Sequence, residues 1–503
     1  VRGGPIAARP GARARGTIPH RPASPLRVLH VGAELYPWVK IGGLGDVLAA
    51  LPAALASEGV EARLCLPGYP ALLDAARETE IARMATPFAA ERVRLGLARL
   101  PGQPPAYIVD HPAFYDRQGG PYAGPDGAEW PDNHRRFALL GWVAAALANG
   151  ADPRWCPRIV HAHDWHAGLA PAYLRASASS ASSMFTVHNL AYQGFFGADV
   201  FGQLALPAEF FSIDGVEFYG GLSFLKAGLF YADRLTTVSP TYAQEIRTPA
   251  FGCNLDGLLR ARAPVLSGIL NGVDRNIWDP AADAALPRRY GPDDAAEGKA
   301  AAKSALQRRL GLAEDQAAPL FAAVARLTPQ KGMDLLLASL PGLLGLGGQL
   351  ALLGSGDQGL ERGFAATAAS YPGRVAAEFG YDETLSRLIY AGADIVGVPS
   401  RFEPCGLTQL YALRYGAVPL VHATGGLVDT VVDATPDTLS DGSATGFAFD
   451  DESSADLLAA AARAVAVYRD PPRWRRMVRQ AMTRDFSWAT AARHYAELYR
   501  ELS

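Results

Sequence analysis

Eleven apolar runs of strand length, rich in Val, Leu and Ile, punctuate the chain. Five lie in the first half, at residues 27–32, 61–66, 158–162, 183–187 and 234–238. Six follow, at 266–270, 319–325, 349–353, 375–379, 394–398 and 417–422. Continuous apolar runs mark strands buried on both faces, which requires parallel sheets covered by helices. One open sheet of eleven strands would be exceptional, so the pattern predicts an α/β protein of two doubly wound domains. Ligands of such domains bind beyond the carboxyl ends of the strands, and the loops after these runs are where chemistry is expected.

The change of domain is expected between residues 260 and 275. This divides the chain into an N-terminal extension (1–25), a first domain (26–265), a second domain (266–484) and a closing segment (485–503). The extension carries five Arg and no acid, and reads as disordered or as a start assigned too early. Residues 281–302, rich in Ala, Asp and Pro, read as a surface excursion. Residues 335–356 hold no charged side chain, but Pro341 and Gly347-Gly348 interrupt them, so they read as a buried helix, a turn and a buried strand. The closing segment offers Asp485 or Ser487 as an N-cap, followed by helical spacing of apolar positions.

Charge and cysteine content exclude several classes of function. With 47 Lys plus Arg against 50 Asp plus Glu, no global field attracts nucleic acid or an anionic membrane. Cys65, Cys156, Cys253 and Cys405 show no C-x-x-C spacing, so neither a zinc cage nor a disulfide framework is expected, and a reducing, cytoplasmic setting follows. The chain lacks G-x-S-x-G, H-E-x-x-H and G-x-G-x-x-G. Residues 291–300 have the wrong spacing for a phosphate-binding P-loop.

Five loops carry the remaining chemistry. Lys40-Ile41-Gly42-Gly43-Leu44-Gly45-Asp46-Val47 follows the first run, with a helix expected over 46–57. Glycines at such a turn let backbone N–H groups approach an anion, although a plain tight turn would look the same. His161-Ala162-His163-Asp164-Trp165-His166 ends another run and is open to three readings: metal ligands, structural histidines, or a loop that touches a sugar. His188-Asn189-Leu190 ends the next run in the same manner, again either structural or functional. In the second half, Arg326 and Lys331 stand five apart across a bend, suited to a diphosphate or simply solvated. Glu403-Pro404-Cys405-Gly406-Leu407-Thr408 leads into a helix whose start is a further anion seat, with Glu403 as a hydroxyl acceptor. Cations beside a carboxylate are a means of holding a sugar diphosphate, and together these parts point to glycosyl transfer.

The motifs closely resemble those of the bacterial glycogen synthase and plant starch synthase family, glycosyltransferase family 5. They include KIGGLGDV at 40–47, HAHDWHAG at 161–168, HNLAYQG at 188–194, YGGLSFLKAG at 219–228 and SP at 239–240. FGCNLDGLL at 251–259, NGVD at 271–274, RLTPQKG at 326–332, GYDE at 380–383 and FEPCGLTQLYALRYG at 402–416 continue the series over residues 27–500.

The resemblance implies a GT-B fold: two Rossmann-like, doubly wound domains facing a deep interdomain cleft, with the last helix returning to the first domain. It implies an enzyme that transfers glucose from ADP-glucose to the nonreducing 4-hydroxyl end of an α-1,4-glucan, with retention at the anomeric carbon. By matching motif, the catalytic set is His188, Arg326, Lys331, Glu403 and Asp164. Lys40, Gly42, Gly43, Asp46, Asn271, Tyr381, Cys405, Gly406, Leu407 and Thr408 would bind ADP-glucose. Tyr122 would face the acceptor. No metal or other cofactor is implied, and the partners are ADP-glucose and glucan, with neither nucleic acid nor membrane.

Retaining relatives of this fold often carry a second glutamate eight positions after the first. Here that position holds Tyr411, as in the bacterial synthase branch. Without an evident carboxylate nucleophile of the kind retaining hydrolases use, front-face substitution is expected, the departing diphosphate helping to remove the proton of the attacking hydroxyl. Alternatives are a transferase using UDP-glucose or a small acceptor, a non-catalytic glucan-binding protein, and a pyridoxal-phosphate phosphorylase of similar fold. Intact Lys40, His188, Arg326, Lys331 and Glu403 argue against a mere binding protein, and the motif order argues against the phosphorylase.

Overall fold

The computed structural model describes residues 25–503, so the expected extension lies outside the described residues except for Pro25. Within them all eleven apolar runs form strands, with ends displaced by at most two residues. The first half begins with β1 (Leu26–Val31), β2 (Val60–Pro67), β3 (Arg77–Met84), β4 (Val93–Arg99), β5 (Ala106–Asp110), β6 (Ile159–His163) and β7 (Ser182–Val187). A small antiparallel sheet follows, of β8 (Phe195–Gly197), β9 (Glu217–Phe218) and β10 (Gly221–Ser223), and then β11 (Arg234–Thr237) and β12 (Leu266–Gly268). The large sheet is ordered β12-β11-β7-β6-β1-β2-β5-β4-β3.

Two expectations are corrected here. The run at 266–270 pairs in parallel with β11, Leu235 opposite Leu266, so a boundary at 265/266 would strip an edge strand from the first sheet. That sheet is also not wholly parallel, because β4 runs antiparallel to β5 and β3 to β4. The pattern missed β3, Arg77-Glu78-Thr79-Glu80-Ile81-Ala82-Arg83-Met84, because its charged residues face solvent at the sheet edge and no continuous apolar run forms.

The second half holds β13 (Leu320–Val324), β14 (Gln349–Gly354), β15 (Val375–Phe379), β16 (Ile395–Val398), β17 (Val418–His422) and the three-residue β18 (Phe447–Phe449). Their order, β15-β14-β13-β16-β17-β18, is that of a doubly wound sheet, parallel throughout. Each large sheet therefore has a switch point: β1 lies between β2 and β6, and β13 between β14 and β16. The uncharged stretch 335–356 divides between the helix Met333–Gly345 and β14. Residues 281–302 are not a surface excursion. Tyr290 is buried, and the helix Ala295–Leu310 begins inside the segment, with Lys299 buried against the Ala391 and Ala393 carbonyls, each accepting from Nζ at 2.9 Å.

The two halves are tied by direct contacts. Ser239 Oγ donates to the Pro404 carbonyl at 2.7 Å. Thr241 donates through N and Oγ1 to Asp429, both at 2.8 Å, and Glu245 accepts from Gly425 N at 2.8 Å. The last helix, Trp488–Leu502, has Trp488, Ala492, Tyr495 and Tyr499 at helical spacing on its buried face. These residues pack against Val28, Leu51, Leu55 and Met184 of the first half, forming a separate core at the back of β1 and β7.

Candidate active site

The carboxyl ends of β1, β6 and β7 carry the first half of the site. After β1 the chain passes Glu34 and Lys40 into the helix Gly43–Ala54, whose N-cap is Gly42 in an extended conformation. The helix thus starts three residues earlier than expected, and the glycines form its first turn rather than a loop ahead of it. Glu34, which the sequence reading passed over, anchors the turn: its Oε2 accepts from Ile41 N at 2.9 Å and Gly42 N at 3.1 Å. Its Oε1 accepts from the Tyr122 hydroxyl at 2.6 Å. The Tyr122 ring stacks on His166 with centroids 4.3 Å apart, so the side chain expected to face the acceptor is held at its hydroxyl and along its ring. Lys40 Nζ meets Asp46 Oδ1 at 2.8 Å. Burial pushes the Asp46 carboxyl above its usual range, against the pull of Lys40.

Asp164 follows β6 directly, in the left-handed region at φ 57°. Such strain in a residue other than glycine persists where the surroundings fix it, often at functional sites. Here Oδ1 accepts from His188 N at 2.7 Å and from Asn189 N at 3.4 Å. Asp164 therefore ties the end of β6 to the loop after β7. Burial raises its carboxyl to about 7.

The strand register sets His30 opposite His161 and His163 opposite Thr186. His188 Nε2 lies 3.0 Å from His163 Nδ1, and His163 Nε2 lies 3.1 Å from His30 Nδ1. Desolvation holds all four rings neutral, lowering His30 and His188 to about 3 and His161 and His163 well below the usual range. Nitrogens of His30, His161 and His163 also lie within 4.8 Å of one another, near enough for an ion, but both His161 nitrogens already have hydroxyl partners at 2.6 Å.

The second half of the site is charged. Arg326 follows β13, and Lys331 ends a short turn whose next residue, Gly332, has φ 65° with the Pro399 carbonyl where a Cβ would sit. Lys331 Nζ meets Glu403 Oε2 at 2.6 Å, and the same oxygen accepts from Ser400 Oγ at 2.8 Å. Arg326, Lys331, Ser400, Glu403 and Thr408 line one cavity of about 170 Å³ at the β13/β16 switch point. Gly406, at φ 76°, and Leu407 lead into the helix Thr408–Arg414. Burial pushes the Cys405 thiol up to about 12, which makes it a packing group rather than a nucleophile.

The halves meet across the cleft at this level. A Cβ on Gly43 would come 3.6 Å from Leu407 Cδ1, so the two helix starts face each other. Arg326 Nη1 donates to the Tyr192 hydroxyl at 3.4 Å, and the Tyr36 hydroxyl donates to Glu383 Oε2 at 3.2 Å. Tyr381, 77% exposed, donates to the same carboxylate oxygen at 3.0 Å and presents an open ring. Asn271 is buried, with Oδ1 lacking a hydrogen-bond partner among the described residues. Glu34, Tyr36, Ser400 and His30 join the site from outside the motifs, and Tyr192, Glu383 and His163 join it from within them, where no role was expected of these side chains. Glu34 and His30 were open to inference, as polar groups at or just after a buried strand. A broader groove of about 1080 Å³ runs past Ser183 and Asp233, at the opposite, amino edge of the first sheet.

The family model described as starch synthase catalytic domain matches residues 27–261, and that of glycosyl transferases group 1 matches residues 307–483. A glycogen synthase of Variovorax paradoxus (strain S110) is 52% identical over 488 residues, 95% of this chain and 99% of that one. The chain belongs to the glycogen and starch synthase family. A glycogen synthase of Yersinia pseudotuberculosis serotype O:1b (strain IP 31758) is 53% identical over 480 residues, covering 95% of this chain and all of the relative. Among solved structures, the catalytic domain of starch synthase IV from Arabidopsis thaliana, bound to ADP and acarbose, superposes with a TM-score of 0.85 at 34% identity, covering 95% of this chain and 99% of that chain. The fold is therefore GT-B, and the two switch points described above are the facing walls of a glycosyltransferase cleft.

Proposed function

We propose that this member of the glycogen and starch synthase family elongates α-1,4-glucan by transferring glucose from ADP-glucose to the nonreducing 4-hydroxyl, with retention. The observation that carries the reading is the Lys331–Glu403 pair, with Arg326 in the same cavity, opposite a neutral wall of His188 and Asp164. In this reading Arg326 and Lys331 neutralise the diphosphate as it leaves, when its charge is greatest and a preorganised cation helps most. Glu403 accepts from hydroxyls of the donor glucose and keeps Lys331 in place. Asp164 and His188 flank the glucose, and Lys40 and the Gly42-Gly43 turn approach the donor from the same wall. Tyr381 offers its exposed ring to the adenine, and Asn271 and residues 405–408 line the seat.

The phosphate oxygen freed on departure takes the proton of the attacking hydroxyl on the same face of the sugar. No metal is needed in this scheme, because protein cations carry the counter-charge. Four free cysteines suit a reducing, cytoplasmic setting. Transfer of radiolabelled glucose to glycogen from ADP-glucose and from UDP-glucose, in parallel, tests the reading. Preference for ADP-glucose is expected. Equal or better use of UDP-glucose overturns the donor assignment, and no transfer to glycogen from either donor overturns the reaction.

A further inference from the structure

His188 does not stand alone behind the cleft. Its Nε2 opens a chain of groups running through the first sheet to the last helix. After the two imidazole contacts already described, His30 Nε2 lies 3.4 Å from the Tyr499 hydroxyl. That hydroxyl lies 2.6 Å from His161 Nδ1, and His161 Nε2 lies 2.6 Å from Thr186 Oγ1. Thr186 Oγ1 in turn contacts Thr236 Oγ1. His30, His161, His163, Tyr499, Thr186 and Thr236 are all fully buried. A neutral imidazole carries one N–H and one lone pair, so each ring that donates at one nitrogen must accept at the other. The chain therefore has only two self-consistent directions, and its far end decides which tautomer His188 adopts.

The contact geometry selects one direction. A phenol is a strong donor and imidazole nitrogen a strong acceptor, so the 2.6 Å contact of Tyr499 with His161 has the phenol O–H donating. Burial keeps the Tyr499 phenol protonated. With its only proton used there, Tyr499 must accept from His30 Nε2–H. His30 Nδ1 then accepts from His163 Nε2–H, and His163 Nδ1 accepts from His188 Nε2–H. His188 Nδ1 is left as a lone pair, and it has no partner among the described residues.

We propose that Tyr499, His30 and His163 are positioning residues that set the tautomer of His188, so that its Nδ1 presents a hydrogen-bond acceptor to a hydroxyl of the donor sugar. This rests on the reading of His188 as a donor-side residue. The last helix then does more than close a core, because its Tyr499 hydroxyl fixes the polarity of a group at the cleft, three hydrogen bonds away.

Long-range ¹⁵N–¹H correlation spectra of the full chain labelled at histidine distinguish the two tautomers, and loss of signals in His188→Ala assigns the ring. The wild type is expected to carry its proton on Nε2 of His188. Tyr499→Phe keeps the ring and removes the hydroxyl, and the chain loses its preferred direction. A second form of His188 with the proton on Nδ1 is expected, together with a drop in kcat of roughly ten-fold, the size of one misplaced hydrogen bond. KM for the acceptor should change little, while the unfolding midpoint should fall, because two buried imidazole nitrogens lose their partner. A wild-type His188 protonated on Nδ1 overturns the direction. An unchanged His188 spectrum in Tyr499→Phe overturns the coupling. Full turnover by His188→Ala would instead sink the donor-side role of His188 and leave the tautomer result standing, so the two failures are told apart.

Discussion

The two walls of the cleft are built on the same topology and made of opposite materials. At the β1/β6 switch point the histidines are buried, neutral and joined to one another, all four held uncharged by desolvation, with Asp164 raised to about 7 beside them and the Lys40–Asp46 pair at the rim. At the β13/β16 switch point they are charged and paired across a small cavity, with Lys331 against Glu403 and Arg326 nearby. A neutral wall distinguishes hydroxyl groups through direction and shape, because each lone pair and N–H is already assigned. A charged wall responds to the charge that grows on a leaving group. Under the proposed mechanism the division places bond-breaking on the charged side and adds the directional recognition of hydroxyls from the neutral one.

The sharpest way to break this division is Lys331→Ala. Losing a cation from the leaving-group side should cost about 3 kcal/mol of transition-state stabilisation, roughly a hundred-fold in kcat/KM. Steady-state kinetics with ADP-glucose reads this directly, and full turnover by the variant would remove the leaving-group role. The neutral wall should show itself next in stability. Folding lowers the pKa of His30 and His188 from 6.5 to about 3, so their neutral burial favours the fold above pH 6.5, and that contribution fades as pH falls toward 3. By linkage each such histidine takes about 2 kcal/mol from stability between pH 7 and pH 5. Urea unfolding at the two pH values should show this loss, and His30→Phe should lessen it. A flat response would mean that these rings are charged in the folded chain.

Asp164 offers a smaller and more specific test. Its carboxyl, raised from 3.8 to about 7, favours the fold while protonated, and that contribution is lost as pH rises through 7. If the carboxylate is the working form, activity should rise across the same interval. Asp164→Asn should remove the rising limb and lower kcat about ten-fold, the scale of one hydrogen bond. A pH–rate profile of the variant that still rises near 7 would assign the limb to another group. Exhaustive chelation is expected to have the smallest effect of all, none on transfer. Its complete loss would reopen the His30, His161 and His163 triad as a metal centre.

The charged wall was far more legible in the sequence than the neutral one. Arg326, Lys331 and Glu403 stand within short motifs, after apolar runs that end where expected. The neutral wall depends on register. Nothing in the spacing of His30, His161 and Tyr499 shows that β1 will lie beside β6 with the last helix behind both. Glu34 was missed for a related reason, since its partners Tyr122 and Gly42 lie on separate loops. The strands at the antiparallel edge were hidden because charged side chains on their solvent face broke up the apolar signal. The same physics moved the domain boundary, because the short β12 follows its helix closely and pairs backwards, into the sheet before it.

The return of the last helix bears on how the chain is made. Trp488, Tyr495 and Tyr499 cover Val28, Leu51 and Met184, residues synthesised more than three hundred positions earlier. A ribosome adding about 5–20 residues per second takes on the order of tens of seconds over that interval. Throughout it the first half has a bare apolar face and an incomplete histidine chain. The final fifteen residues to form a helix are therefore the step that seals the amino-terminal half, and a transcript cut short there yields a chain with every motif of the cleft and one unsealed core.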